Sequence, residues 1–216
     1  MTSMRFPKAA DTKEMRRNHI IDTATRLIAR NGLEGVSVRK VADMAGCSRG
    51  LVEHYFRDKA ELVVEANRWV NTAYLERVSS LRKLSGLALL EGQLHNLLPF
   101  TDEILDEWRV RSIFFNRGSA DQQIAKDSND SFNQVYVEIW DALKYASAHG
   151  EIDPSVPVQE ASELILLFVI GIAMACLLSE RLRERRPLER RVNMILGMLK
   201  SGDLSALRVG DPSVEY

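Results

Sequence analysis

The chain has 216 residues, of which 45% are hydrophobic, 27% charged and 7% aromatic, a composition that folds around a core and excludes a disordered, collagen-like or disulfide-built protein. Lys and Arg total 29 against 30 Asp and Glu, yet the first 59 residues hold 12 basic and 7 acidic side chains, so the two parts carry opposite charge, +5 and −6. That asymmetry points to a small segment that meets a polyanion, followed by a larger part with another task. The two cysteines, Cys47 and Cys176, are far apart and have no metal-ligand spacing, so no disulfide, zinc site or cofactor is expected.

Residues 1–11 are polar with Pro7 and are expected to form a flexible basic arm. They lack the apolar run of a secretory signal, so a cytoplasmic location is expected. From Thr12, Ile20, Ala24, Leu27 and Ile28 fall at helical spacing up to the stop Asn31-Gly32. Ser37 then precedes Val38, Val41, Ala42 and Ala45 in a run of about two turns ended by Gly46, and Ser48 opens a third short helix with Leu51, Val52 and Phe56. Asp58 caps a fourth that carries Leu62, Val63, Ala66, Trp69 and Val70 towards Leu84. Further helices are predicted over 86–98, 102–117, 121–148, 155–183 and 187–200, and no segment alternates with period two. The apolar stretch from Leu164 to Leu178 is shorter than the ~20 residues that span a bilayer and reads as a buried helix, with no membrane partner. The chain is therefore expected to be all-α: an arm over 1–11, a DNA-binding domain over 12–59, an effector-binding and dimerisation domain over 60–202, and a polar tail over 203–216.

The short helices 37–44 and 48–54, joined by Ala45-Gly46-Cys47, follow helix-turn-helix grammar: a small residue lets the helices approach and glycine supplies a positive φ. The second helix of such a pair can lie in a major groove with its N-terminal side chains against base edges. Residues 20–62, about a fifth of the chain, resemble the N-terminal domain of the TetR family of transcriptional repressors. The likeness lies in Ile20 to Gly32, Val38-Arg39-Lys40-Val41-Ala42, Ala45-Gly46, Ser48-Arg49-Gly50 and His54-Tyr55-Phe56-Arg57-Asp58-Lys59 before Leu62. Within the family, residues 50–59 are most similar to the choline-responsive BetI-type branch. The resemblance implies that Arg39, Arg49, Gly50, Leu51 and Glu53 face bases and that Ser37, Ser48, His54, Tyr55 and Lys59 meet phosphate. The residue chemistry agrees, since arginine can donate two hydrogen bonds to guanine O6 and N7 and leucine can touch a thymine methyl. Glu53 stands where the family usually has tyrosine. Its carboxylate can accept from cytosine N4, or pair with Arg49 or Arg57.

The resemblance further implies a homodimer that binds a palindromic double-stranded operator and is released by a small-molecule effector. Ile165, Phe168 and Ile172 on one apolar helix, with Val192, Ile195, Leu196 and Leu199 on the next, form stripes suited to a four-helix interface between two chains. Trp69, Trp108, Phe115, Asn116, Tyr136, Trp140 and Met174 are the residues expected around an effector pocket, where tryptophans could give cation–π contacts to a quaternary ammonium. The rival readings are a DNA-binding regulator that activates or needs no ligand, and a helical enzyme with a structural N-terminal bundle. The latter finds no support in the scattered His19, His54, His95 and His149, and no catalytic motif is present.

Overall fold

The structure, a computed structural model, describes residues 12–118 and 122–204, including side chains except at 116–118 and 122–125. The predicted arm, most of the predicted tail and the side chain of Asn116 lie outside the described residues. Among the described residues are nine α-helices and no strand, the all-α architecture expected from the apolar spacing. The helices are α1 (Lys13–Asn31), α2 (Val38–Ala45), α3 (Arg49–Tyr55), α4 (Lys59–Ser79), α5 (Gly86–Leu97), α6 (Asp102–Gly118), α7 (Gln122–Ala148), α8 (Val158–Leu178) and α9 (Arg185–Ser201). A short 3-10 helix, Glu180–Arg183, precedes the last of them.

The chain divides into two compact units. Of the described residues, the first comprises those up to Ala73 with those between Asp106 and Ala125, and the second Tyr74–Leu105 with those from Lys126 to Leu204. In the first, Ile20, Ala24 and Ile28 of α1 meet Val41 and Ala42 of α2, Val52 of α3 with Phe56 just beyond its end, Leu62, Ala66 and Val70 of α4, and Val110 and Phe114 of α6 in one buried cluster. Full burial of a Val, Ile or Phe side chain contributes ~1.5–3 kcal/mol, so the hydrophobic period rather than the short helices' own propensity holds α2 and α3 in place. In the second, Leu90, Leu94 and Leu98 are buried along with Ile139, Leu143, Val169, Leu188 and Leu199.

Two helices end earlier than their apolar pattern suggests. The fourth stops at Ser79 instead of reaching Leu84, because the hydroxyls of Ser79 and Ser80 donate to the carbonyls of Glu76 (2.7 Å) and Arg77 (2.6 Å) and compete with the helical ladder. The eighth stops at Leu178, where the Ser179 amide still bonds the Ala175 carbonyl at 3.1 Å before the chain tightens into the 3-10 turn.

The larger correction concerns α8. It is not a buried helix in the single chain: only about a third of its apolar stretch is buried, and by length and composition alone it could cross a membrane. Leu178 is 90% exposed, Leu167 64% and Phe168 37%. The residues expected to face a partner divide accordingly. Ile165, Val192, Ile195, Leu196 and Leu199 are buried in this chain's own core, while Phe168 and, in part, Ile172 remain open beside Leu167 and Gly171. A helix apolar all round has no polar face from which periodicity could say which side turns inward.

Candidate nucleic-acid interface

The geometry of α2 and α3 follows from three small residues. Ser37 Oγ accepts the Lys40 amide and Ser48 Oγ the Leu51 amide, each at 3.2 Å, so both helices begin on a hydroxyl cap. Between them Gly46 sits at φ 72°, ψ 33°, a left-handed position open to glycine, and the Cys47 amide reaches back to the Ala42 carbonyl at 3.0 Å. His19 of α1 braces the turn, its Nε2 donating to the Ala45 carbonyl at 3.2 Å. Cys47 packs half-buried against the core cluster, and burial pushes its thiol above the ordinary range, as befits a small turn hydrophobe.

With Val41, Ala42 and Val52 turned inward, the opposite faces carry the predicted base-reading set outward: the Arg39 side chain is 83% exposed and that of Arg49 68%, with Gly50 and Glu53 exposed and Leu51 half-buried. Glu53 Oε1 accepts from Arg49 Nε at 2.7 Å one turn away. The expected pairing of Glu53 with Arg49 is present. It occupies the Nε edge of the guanidinium and leaves the two terminal nitrogens as a fork, the geometry that meets guanine O6 and N7. Arg39 and Asp43 lie 3.9 Å apart, both largely solvated, a pairing too loose to hold the side chain. At Gly50 a Cβ would meet nothing within 4 Å and φ is not positive, so this chain's own packing does not require glycine there; an approaching external backbone would.

Among the predicted phosphate-meeting residues, Ser48 and His54 are exposed and Ser37, Tyr55 and Lys59 half-buried. The two serine hydroxyls are engaged as caps yet retain a proton to donate outward. His54 and Tyr55 meet edge to face, ring centres 5.3 Å apart. The start of α4 is less open to an anion than its dipole suggests. Asp58 Oδ1 accepts the Glu61 amide at 2.9 Å, Glu61 Oε2 accepts the Arg57 amide at 2.7 Å, and Arg57 Nε donates to Asp58 Oδ2 at 3.0 Å. The Glu61 amide and the Arg57 side chain hold the Asp58 carboxyl below its usual range, so the attraction for phosphate there rests on Lys59. This Arg57–Asp58–Glu61 knot escapes sequence reading, although an aspartate three residues before a glutamate is the signal that could have revealed it.

The aromatic residues expected around a pocket fall in both units. Trp69, Trp108 and Phe115 belong to the first unit, and Tyr136, Trp140 and Met174 to the second. Trp108 is 3% exposed, contacts Phe115 edge to face, and already has the Arg111 guanidinium 5.3 Å from its ring centre. Trp140 is covered by Lys144 Nζ at 4.8 Å. Both tryptophans thus meet the chain's own cations. Burial, with Glu163 and Glu160 behind it, raises the Tyr136 hydroxyl above its ordinary pKa. Among the described residues no group of three or more His, Cys, Asp or Glu could hold a metal ion.

Two capped helices around a left-handed glycine, with arginines presented outward from a buried apolar seam, define a helix-turn-helix transcriptional regulator that binds DNA. Residues 20–66 match the family described as bacterial regulatory proteins, tetR family. The chain is 26% identical over 176 residues to the HTH-type transcriptional regulator PksA of Bacillus subtilis, covering 80% of this chain and 83% of that protein. It is 30% identical over 126 residues to the HTH-type transcriptional repressor AcnR of Corynebacterium diphtheriae, covering 57% and 66%. The crystal structure of a transcriptional regulator from Rhodococcus superposes with a TM-score of 0.73 at 26% identity, covering 86% of this chain and 96% of that one. Residues 20–66 thus form a DNA-binding domain of the TetR type, and the relatives and the solved structure that the chain resembles are transcriptional regulators. The chain's likeness to BetI of Burkholderia thailandensis, 41% over 58 residues, spans 30% of that protein and leaves the branch unassigned.

Proposed function

We propose that this chain is a homodimeric, cytoplasmic repressor that grips a near-palindromic operator through two copies of the 37–59 segment and leaves it when a small-molecule effector binds. The observation that carries the reading is the outward fork of Arg49, oriented by Glu53 on a helix whose Val52 is fully buried. Repression is supported by the likeness to AcnR, which bears that name. Pairing is supported by the apolar groove of Leu167, Phe168, Gly171, Ile172 and Ala175, about 390 Å³, continuous with the most exposed face of α8; a second copy covers such a face without a bilayer. An effector that favours a spacing of the two recognition helices unsuited to the operator weakens DNA binding through its differential affinity for the two states.

The test begins with operator sequences selected by the purified chain from random duplexes. Arg49→Ala is expected to lower operator affinity while changing scrambled DNA little, and Lys59→Ala to weaken both alike and lower the slope of log affinity against log salt by ~0.9 per subunit, ~1.8 for the dimer. Transcription from a promoter bearing the operator should fall when protein is added. Equal retention of operator binding by both variants overturns the base and phosphate assignments, and a rise in transcription overturns repression.

A further inference from the structure

The second unit contains a cleft of about 360 Å³ whose hydrocarbon wall includes Leu75, Val78 and Leu89 and whose polar lining includes Gln93, Glu138 and Asp141. None of these belongs to the aromatic set discussed above. Gln93 is 1% exposed; its amide nitrogen donates to the Glu138 backbone carbonyl at 3.2 Å, and its Oε1 receives no hydrogen bond. Turning the amide over would set Oε1 against that carbonyl, acceptor against acceptor, so the orphan is the oxygen. Buried carbonyl oxygens are seldom left without a donor, and Gln93 is among the residues at the cleft, which places this oxygen beside it.

The neighbouring groups ask for the same partner. The half-buried Glu138 carboxylate accepts the Tyr74 hydroxyl at 2.8 Å. Its pKa is raised because burial outweighs that bond, and no cation pairs with it among the described residues. Asp141 follows one turn later on α7 and is exposed. Two carboxylates and an unpaired amide oxygen therefore meet an apolar wall, an array rich in acceptors. Arg82, also at the cleft, is exposed in the turn beyond α4.

We propose that this cleft binds an organic ammonium ion bearing at least one N–H, with its hydrocarbon body on Leu75, Val78 and Leu89 and its donors directed to Gln93 Oε1 and the carboxylates of Glu138 and Asp141. A quaternary ammonium supplies the charge but no hydrogen for Gln93. A neutral alcohol supplies a hydrogen but no charge. The cleft therefore distinguishes three compounds of one shape, because a site built to hydrogen-bond a group rejects the analogue that lacks it.

The experiment is calorimetric titration of the full chain, without DNA, with phenethylammonium, its N,N,N-trimethyl analogue and phenethyl alcohol. The primary ammonium is expected to bind at least about tenfold more tightly than either of the others, and Glu138→Gln, which preserves shape, to remove most of that margin. Asp141→Asn, at an exposed position, provides the same comparison should the first variant fail to fold. Absence of binding by the primary ammonium, equal affinity for all three compounds, or a margin untouched in a folded Glu138→Gln protein overturns the assignment. Since no DNA is present, failure here leaves the operator reading standing, and failure of operator selection leaves this cleft standing.

Discussion

Removing the Arg49 guanidinium separates reading from folding. Arg49 and Glu53 are 68% and 45% exposed, and the arginine precedes the carboxylate along the helix, the weaker order for an i,i+4 pair. An exposed pair of this kind contributes ~0.3–0.5 kcal/mol, which in a chain of this size moves the melting temperature by roughly 1–2 °C. A two-pronged contact to guanine is worth ~1–3 kcal/mol, roughly 5- to 150-fold in affinity. Arg49→Ala should therefore leave thermal unfolding nearly unchanged while operator affinity, read by fluorescence anisotropy at fixed salt, falls by about the square of that larger factor, because both subunits of the dimer lose the contact. Glu53→Ala should act in two directions, tightening scrambled DNA by removing a carboxylate near phosphate and narrowing the preference for operator by releasing Nε. In the double-mutant cycle the two losses of preference should not add, because one side chain acts through the other. Additive losses, or an Arg49→Ala protein that loses operator and scrambled DNA equally, would refute the orienting role.

Ser48→Ala should cost about 1 kcal/mol in urea unfolding through the lost cap of α3, and should weaken operator binding beyond what that destabilisation explains. Leu167→Glu, on the open face of α8, should yield a monomer by sedimentation with helical content retained, and operator affinity should fall because two half-sites are no longer held at once. Acid should destabilise the α1–α4 contact through Glu65. Burial raises the Glu65 carboxyl, but the bonds from Arg17 and Arg68 outweigh it and leave the pKa below its ordinary value. A depressed folded pKa means that the contribution is present above the unfolded value near 4.5 and is lost as pH falls through the folded one. Unfolding by urea between neutral and acid pH should thus be less pH-dependent in Glu65→Gln, and an unchanged slope would show that the pair contributes nothing.

The DNA-binding half was largely legible because its signals are local. Ser37, Gly46 and Ser48 mark caps and a turn that depend on their immediate neighbours, and the spacing of Val41, Ala42 and Val52 leaves one choice of inward face. The second unit was less legible for the opposite reason. Ile165 and Leu167 are both plain aliphatics on α8, yet one is 2% exposed and the other 64%, a difference set by what packs around the helix rather than by anything within the segment. For Trp108 and Trp140 the residue type is visible in the sequence, while the nearness of Arg111 and Lys144 to their rings appears only in the folded chain. Gln93, by contrast, gave no sequence signal, since an unpaired amide oxygen exists only once the helices around it are placed.

The account rests on two outward-facing copies of the α2–α3 pair gripping one duplex, and nuclease footprinting of the full chain on its selected DNA tests this most directly. The account predicts two protected half-sites related by inversion, with guanines whose methylation blocks binding by the wild-type chain but matters much less to Arg49→Ala. A single unrepeated protected stretch, or an identical interference pattern for both proteins, would contradict it.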